Sequence, residues 1–359
     1  MTTFLQLHLL TAYPPANLNR DDNGQPKTAI FGGVQRLRVS SQSLKRAWRT
    51  SEVFANRLEH HIGERTQRLG QVILEYLRGK GMEEKKALST ARAIAELFGK
   101  PKPEKDDNPA FIEQLAFVSP EERKNALAFA DRALAGETIE PKASDVLVKT
   151  DSAADIAMFG RMLADNPAFN REAAVQVAHG LSTHRIVIDD DYYVAVDDLK
   201  DPASREDAGT SFIGVQEFAA GVFYLYICAD LDLLVKNLNG DRALAKAAVA
   251  ALTEAAATVA PRGKQASFAS RARASYILAE TGSDQPRSLA AAFLKPISGD
   301  DDLAKTSAAK LVAFRDKLSK AYGDSKTASQ TMDITGESAS GTLADVLAFA
   351  KDAVPEAHA

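Results

Sequence analysis

With 359 residues, 45% of them hydrophobic and 26% charged, the chain has the makings of a soluble globular protein of two or three structural units. Its net charge of −4 excludes a generally sticky polycation, and its single cysteine, Cys228, excludes an intrachain disulfide and any Cys-rich zinc site. The opening MTTFLQLHLL lacks the basic start and long apolar run of a signal peptide, and no stretch approaches the roughly 18–20 apolar residues of a membrane span, so a cytoplasmic protein is expected.

Residues 4–10 alternate as an opening strand, with Leu5, Leu7 and Leu9 on its core side and Phe4, Gln6, His8 and Leu10 on a mixed face. Tyr13-Pro14-Pro15 ends it. A long loop then leads to a helix expected at 42–57. Residues 59–100 and 109–135 read as helical, separated by the charged, Pro-containing loop 100–109. The stretch 144–163 reads as one or two strands, 172–184 as a helix, and 185–215 as an irregular hydrophilic excursion holding Tyr192-Tyr193 and the three aspartates at 189–191. The best strand lies at 221–231. Cys228 sits in its apolar run, where an inert buried thiol is expected. A breaker-poor helix follows at 239–259, then the basic turn Pro261-Arg262-Gly263-Lys264-Gln265. A strand at 273–279, a short helix at 288–295 and a helix at 301–322 come next. Residues 323–342 are Ser-, Thr- and Gly-rich and expected to be mobile, before a last helix at 343–352. Strands near 4, 156, 222 and 275 with helices between them predict an α+β fold of βαββαβ order, the ferredoxin-like or RNA-recognition architecture, carrying the helical block and the 185–215 excursion as insertions.

The feature around which the rest is arranged is 18–49, LNRDDNGQPKTAIFGGVQRLRVSSQSLKRAWR. From Arg20 to Arg49 it holds seven cations (Arg20, Lys27, Arg36, Arg38, Lys45, Arg46, Arg49) against Asp21 and Asp22, a local +5 in an acidic chain. Such a patch is the footprint of a polyanion site. Ser40 and Ser41 are candidate N-caps. Leu44, Ala47 and Trp48 form an apolar stripe, with Gln42, Lys45, Arg46 and Arg49 mostly on the other side. The helix N-terminus adds free N–H groups suited to phosphate. An ordinary amphipathic helix with a solvated basic face is the plain alternative.

Other constellations are weaker. His60-His61 are adjacent, and His179 and His184 are five apart, a poor match to a two-imidazole metal face, so no metal and no cofactor are expected. The aspartates at 189–191 and Asp197-Asp198 fit turns better than a cation site. No Walker A loop, dinucleotide fingerprint or G-x-S-x-G elbow occurs. Asp21-Asp22 has no evident partner for acid–base work, so no catalytic residue is assigned. The aromatics at 223, 224 and 226 lack the Lys/Arg-Gly opening of a base-stacking strand; Phe223 is expected in the core and the tyrosines under helices. Met162 beside Arg161 is core filler by default, or a wedge against a base.

LNRDD at 18–22, Lys27, AIFGG at 29–33, RVSSQSLKRA at 38–47, FGRM at 159–162, AVDDL at 195–199 and VQEF at 215–218 running into GVFY at 221–224 together resemble CasC, the repeated backbone subunit of the type I-E CRISPR surveillance complex, Cascade. The resemblance covers much of 1–50 and 150–230 and thins elsewhere. It implies an RNA-recognition-like palm (1–58, 144–184 and 216–359 with the C-terminal helices), helical fingers at 59–143 and a thumb hairpin at 185–215. Copies would wind along a guide CRISPR RNA (crRNA), the thumb of one folding over the RNA of the next and displacing a base. The guide would be presented to a target DNA strand, beside a large CasA, small CasB, CasD and CasE subunits, and a recruited helicase-nuclease would cut. By the same resemblance, Arg20, Lys27, Ser40, Gln42, Lys45, Arg46 and Arg49 match guide-backbone positions. Met162 matches the base-contacting position, with Arg161 beside it; the thumb tip, 201–212, shows little of the family pattern, and Phe212 or Ile213 is the candidate there for displacing a base. A guide carrier must accept any spacer, which backbone contacts by Lys and Arg allow, leaving sequence to base pairing.

The competing expectations are a ribonuclease or other phosphoryl-transfer enzyme using His8 or His184 with Asp21 or Asp22, and a helical interaction protein whose basic loop binds an acidic partner. The first predicts RNA cleavage by the pure chain, and the second no RNA retention at physiological salt.

Overall fold

The computed structural model describes residues 2–138, 140–195, 212–298, 302–324 and 327–356. Its strands are β1 (Phe4–Ala16), β2 (Thr28–Phe31), β3 (Val34–Val39), β4 (Glu64–Thr66), β5 (Ala116–Val118), β6 (Val175–Val177), β7 (Gly180–Ser182), β8 (Asp189–Ala195), β9 (Phe212–Asp230), β10 (Tyr276–Gly282) and β11 (Ala328–Asp333). Its helices are α1 (Ser41–Arg49), α2 (Glu52–Arg57), α3 (Leu69–Gly79), α4 (Glu84–Glu96), α5 (Pro120–Leu134), α6 (Ala143–Val146), α7 (Ala154–Phe159), α8 (Leu231–Asn237), α9 (Arg242–Thr258), α10 (Gln265–Phe268), α11 (Leu303–Tyr322) and α12 (Leu343–Asp352).

The result is a mixed α+β protein built on an antiparallel sheet of order β11-β10-β1-β9-β7-β3-β2, with β6 also paired to β9. The N-terminal half of β9 leaves this sheet to form a hairpin with β8, Asp189 opposite Phe218 through Ala195 opposite Phe212. β4 and β5 make a separate two-stranded sheet.

Both faces of the main sheet are covered. Leu5, Leu7 and Leu9 enter the core shared with α1, α2, α9 and α12, the side expected from their alternation. The opposite face is also buried: Leu10, Tyr224, Tyr276 and Leu278 pack with Leu289, Phe293 and Leu311 beneath α11. The polar residues of that face are satisfied rather than solvated. Gln6 Oε1 accepts from Tyr226 Oη at 2.9 Å and from the Arg287 amide at 2.7 Å. His8 lies between Tyr224 Oη at 2.9 Å and Glu280 at 3.2 Å. Phe223 is core and Tyr224 and Tyr226 lie under neighbouring elements, as expected.

A second apolar core gathers Ile73, Leu77, Ile94, Phe98, Ile112 and Phe129 from α3, α4, α5 and their connections. It explains why the 60–140 stretch reads as helical. Its edges differ from expectation. Helix α5 starts only at Pro120, after a reciprocal cap in which Ser119 Oγ accepts from the Glu122 amide and Glu122 accepts from the Ser119 amide.

Several expectations fail: β1 runs through Tyr13-Pro14-Pro15 to Ala16, with Ala16 still paired to Ala219 past a register shift, and part of the 185–215 excursion is the regular β8–β9 hairpin. Residues 154–159 form helix α7, not a strand; Ala154 to Met158 are all buried, and a short apolar run reads the same as buried helix or buried strand. Gly160, at φ +77°, ends it, so Arg161 and Met162 follow a helix. Residues 172–184 are extended, not helical, because β6 and β7 pair with β9. The expected 42–57 helix is two: Ser51 restarts the chain as α2, its Oγ accepting from the Phe54 amide at 3.3 Å. Within 323–342, residues 328–333 form β11 and pair with β10 along the edge of the sheet. Among the described residues no helix is long and apolar enough to cross a membrane.

Candidate nucleic-acid interface

The loop between β1 and β2 is held by its own backbone and by Asn17 and Asn19. Asn17 is buried, and its amide donates to the carbonyls of Gly24 at 2.9 Å and Glu217 at 3.0 Å. The Asn19 carbonyl accepts from the Lys27 amide at 2.8 Å, and Asn19 Oδ1 accepts from the Ser40 amide at 2.9 Å. One residue thus ties the loop, the start of β2 and the cap of α1 together. Ser40 Oγ in turn accepts from the Ser43 amide at 3.3 Å, making Ser40 the N-cap. Leu44, Ala47 and Trp48 are buried, while Gln42 and Arg46 are exposed and Lys45 half-buried.

Between this loop, α1 and the 261–265 turn lies a cleft of about 440 Å³, lined by Arg20, Asp21, Asp22, Ser43, Arg46 and Arg262 among others. Arg20 and Arg46, far apart in sequence, meet there. Among the described residues neither has a carboxylate at ion-pair distance, although Asp21 and Asp22 share the cleft. Asp21 is turned inward: its Oδ1 accepts from the Asn23 and Gln25 amides at 2.9 and 3.0 Å. Gly263 lets the turn close on the loop, since a Cβ there would lie 2.2 Å from the Leu18 carbonyl oxygen.

Arg262 was visible in sequence only as part of a basic turn; nothing local links it to Arg20. Its guanidinium also donates to the Thr50 carbonyl at the end of α1. Arg38 and His179 were likewise unassigned. Arg38 lies on β3, with its amide donating to the Lys27 carbonyl at 2.8 Å, and its guanidinium is 3.0 Å from His179 Nδ1.

The other expected residues are scattered. Lys45 lies 5.4 Å above the Phe159 ring, and burial lowers its pKa. Arg49 is spent on the fold: its Nε donates to the buried Asp155 at 2.9 Å, its guanidinium to the Gly63 carbonyl at 3.2 Å, and it stacks 4.2 Å from Phe117. Burial pushes the Asp155 carboxyl up, against the pull of Arg49 and the Gly63 amide. Arg161 departs from the expected surface role altogether. It is buried against Glu122 at 2.5 Å and donates to the carbonyls of Phe117, Val148 and Phe169. Its neighbour Met162 is 80% exposed. Arg36, counted in the basic stretch, is fully buried and donates to the carbonyls of Phe31, Ser182 and Phe293. Ile213 is 55% exposed on the β8–β9 hairpin, and Phe212 begins β9. The rest of the expected thumb tip, 201–211, and Asp197-Asp198 lie outside the described residues.

The histidine–aspartate pairing that a nuclease would use is not assembled. His8 is buried with Glu280 and Tyr224. His184 Nε2 accepts from the Val222 amide at 3.2 Å, which leaves its Nδ1–H to donate to the Arg185 carbonyl at 2.7 Å. A ring engaged on both nitrogens is a poor proton shuttle. Among the described residues no cluster of three metal-ligating side chains occurs.

The chain matches known proteins over nearly its whole length. A chain of a structure described as "CRISPR RNA-guided surveillance complex, pre-nicking" is similar at 29% identity, with a TM-score of 0.86, over 98% of this chain and 100% of that one. A chain of a second, "CRISPR RNA-guided surveillance complex", is similar at 26% identity, with a TM-score of 0.75, over 97% and 99%. A search of curated proteins finds no match. The family model described as CT1975-like protein matches residues 5–352, and the chain therefore belongs to the CT1975-like protein family, in keeping with the CasC-like backbone subunit its motifs resemble.

Proposed function

We propose that the chain is a non-catalytic backbone subunit of a type I-E CRISPR surveillance complex, holding crRNA by its phosphates while copies of the chain line up along the guide. The observation that carries this is the cleft in which Arg20, Arg46 and Arg262 converge beside Asp21 and Asp22, none of the three guanidinium groups ion-paired among the described residues, in a chain matched over nearly its whole length by surveillance-complex chains. Three guanidinium groups against two carboxylates leave the cleft a positive balance, and guanidinium groups not tied up in ion pairs are suited to charge-assisted bonds with phosphate. The strand order β10-β1-β9-β6 supports an RNA-recognition-like palm at 1–58, 144–184 and 216–359. The separate apolar core supports fingers at 59–143, and the β8–β9 hairpin supports a thumb at 185–215. In this reading Ser40, Gln42, Lys27 and Lys45 supply further contacts to the RNA backbone outside the cleft, Met162 and the thumb meet bases, and the partners are crRNA, a target DNA strand, CasA, CasB, CasD and CasE in the cytoplasm.

The test is RNA binding by the Arg20→Ala plus Arg46→Ala variant, two residues whose side chains face the cleft rather than the core. Affinity should fall alike for unrelated RNA sequences, and the slope of log affinity against log salt should flatten by about one unit per lost contact. A loss confined to particular sequences would count against the proposal, as would co-expression with a CRISPR array and companion subunits that leaves the chain monomeric and free of guide-length RNA.

A further inference from the structure

Next to Asn19, among residues that do not line the cleft, is a second group of cations. Lys27, Arg38 and His179 come from three places in the chain, and backbone hydrogen bonds bring them together. The Lys27 amide is bound to Asn19 and the Lys27 carbonyl to the Arg38 amide, both at 2.8 Å. Arg38 and Val39 pair with Leu181 and Gly180 of β7, which fixes His179, the residue just before that strand, beside Arg38. The Arg38 guanidinium donates to His179 Nδ1 at 3.0 Å, so the ring's remaining proton sits on Nε2. His179 is exposed, and among the described residues its Nε2 has no hydrogen-bond partner.

The electrostatics of this group are one-sided. Desolvation, then Arg38, then Lys27 lower the His179 pKa from its ordinary 6.5, and no carboxylate among the described residues opposes them. Arg38 also donates to the Thr28 carbonyl at 3.3 Å, a neutral partner. Three basic side chains held together by rigid backbone, with no internal counter-charge, describe a site waiting for an anion. The ladder that assembles them is continuous with the loop that carries Arg20 and with the cap of α1.

We propose that Lys27, Arg38 and His179 form a phosphodiester-binding site for the RNA backbone, and that His179 takes up a proton when the phosphate binds. This rests on the RNA-binding function proposed above. An entering phosphate reverses the local balance: it favours imidazolium, whose Nε2–H and Nδ1–H are both donors, and Arg38 turns from the ring to the phosphate oxygens. The proton comes from solvent, and no bond to phosphorus changes. RNA affinity therefore rises as the pH falls through the histidine range.

The experiment is fluorescence anisotropy of the purified full-length chain with a guide-length RNA at about pH 8, 7 and 6, repeated with His179→Gln, and calorimetry of the wild type in two buffers of different ionisation enthalpy. Wild-type binding should tighten by roughly threefold to tenfold between the ends of that range, with net proton uptake, and His179→Gln should bind with little pH dependence. A His179→Gln variant with the wild-type pH slope overturns this inference and leaves RNA binding itself intact. If that variant does not fold, wild-type binding without proton uptake overturns it equally. A wild type that binds no RNA at any of these pH values sinks both this site and the function on which it rests.

Discussion

Residues that look alike in the sequence have opposite fates here. Arg161 and Met162 are neighbours, yet one is sealed against Glu122 and the other is almost wholly solvent-facing. Removing Arg161 leaves a buried carboxylate that also accepts from the Ser119 amide at the cap of α5 and from the Val148 amide. Arg161→Met should therefore destabilise the chain by about 3–5 kcal/mol, read as a large fall in the thermal midpoint. Met162→Ala should change stability by no more than about 0.5 kcal/mol, because the side chain is largely exposed. Equal midpoints for the two variants would refute this division. Seven cations were legible as a basic stretch, but Arg36 and Arg49 are turned to carbonyls and a buried aspartate, whereas Arg20 and Arg46 line the cleft with no ion pair among the described residues. Charge is a property of the residue; availability is a property of its neighbours.

At the scale of elements, local signals did well wherever the element stabilises itself. The Ser40 cap and apolar stripe of α1, the alternation of β1, and helices α9, α11 and α12 lie where propensity and periodicity put them. The failures share a cause. β6, β7 and β11 exist because a neighbouring strand supplies their hydrogen bonds, and α7 exists because it is buried on every side. The same dependence governs the cleft. Its third wall is a turn whose closeness to the loop requires no side chain at Gly263. Gly263→Ala should push the turn away and weaken RNA binding at least as much as Arg262→Ala, as measured by anisotropy at fixed salt. Undiminished affinity in Gly263→Ala would mean that the turn is no part of the site.

For the whole molecule, the sheet is covered on both faces, and the polar network on the α11 side imposes a pH dependence. Burial lowers the His8 pKa and so favours the neutral ring, in which Nε2–H donates to Glu280 and Tyr224 Oη donates to Nδ1. Burial alone would raise Glu280, but His8 and Arg287 outweigh it and hold its pKa at about 2. Both values lie below those of the unfolded chain. Each group therefore contributes stability above its unfolded pKa and loses it as the pH falls. The thermal midpoint should begin to drop below about pH 6.5 as unfolded His8 gains protons. It should drop more steeply below about pH 4.5, where Glu280 joins it. His8→Gln should remove the first phase and keep the second; an unchanged profile would show that the network does not titrate with folding. Composition, periodicity and the order of short motifs by themselves determined the α+β class, the helical block, the basic segment and the family, because those depend on residue types and on contacts a few positions apart. Only the tertiary structure decided which cations are buried and which line the cleft, that Arg262 joins Arg20 and Arg46, and that His179 stands beside Arg38. Those pairings span tens to hundreds of residues and are made by strand register and close backbone approach, which leave no local trace in the chain.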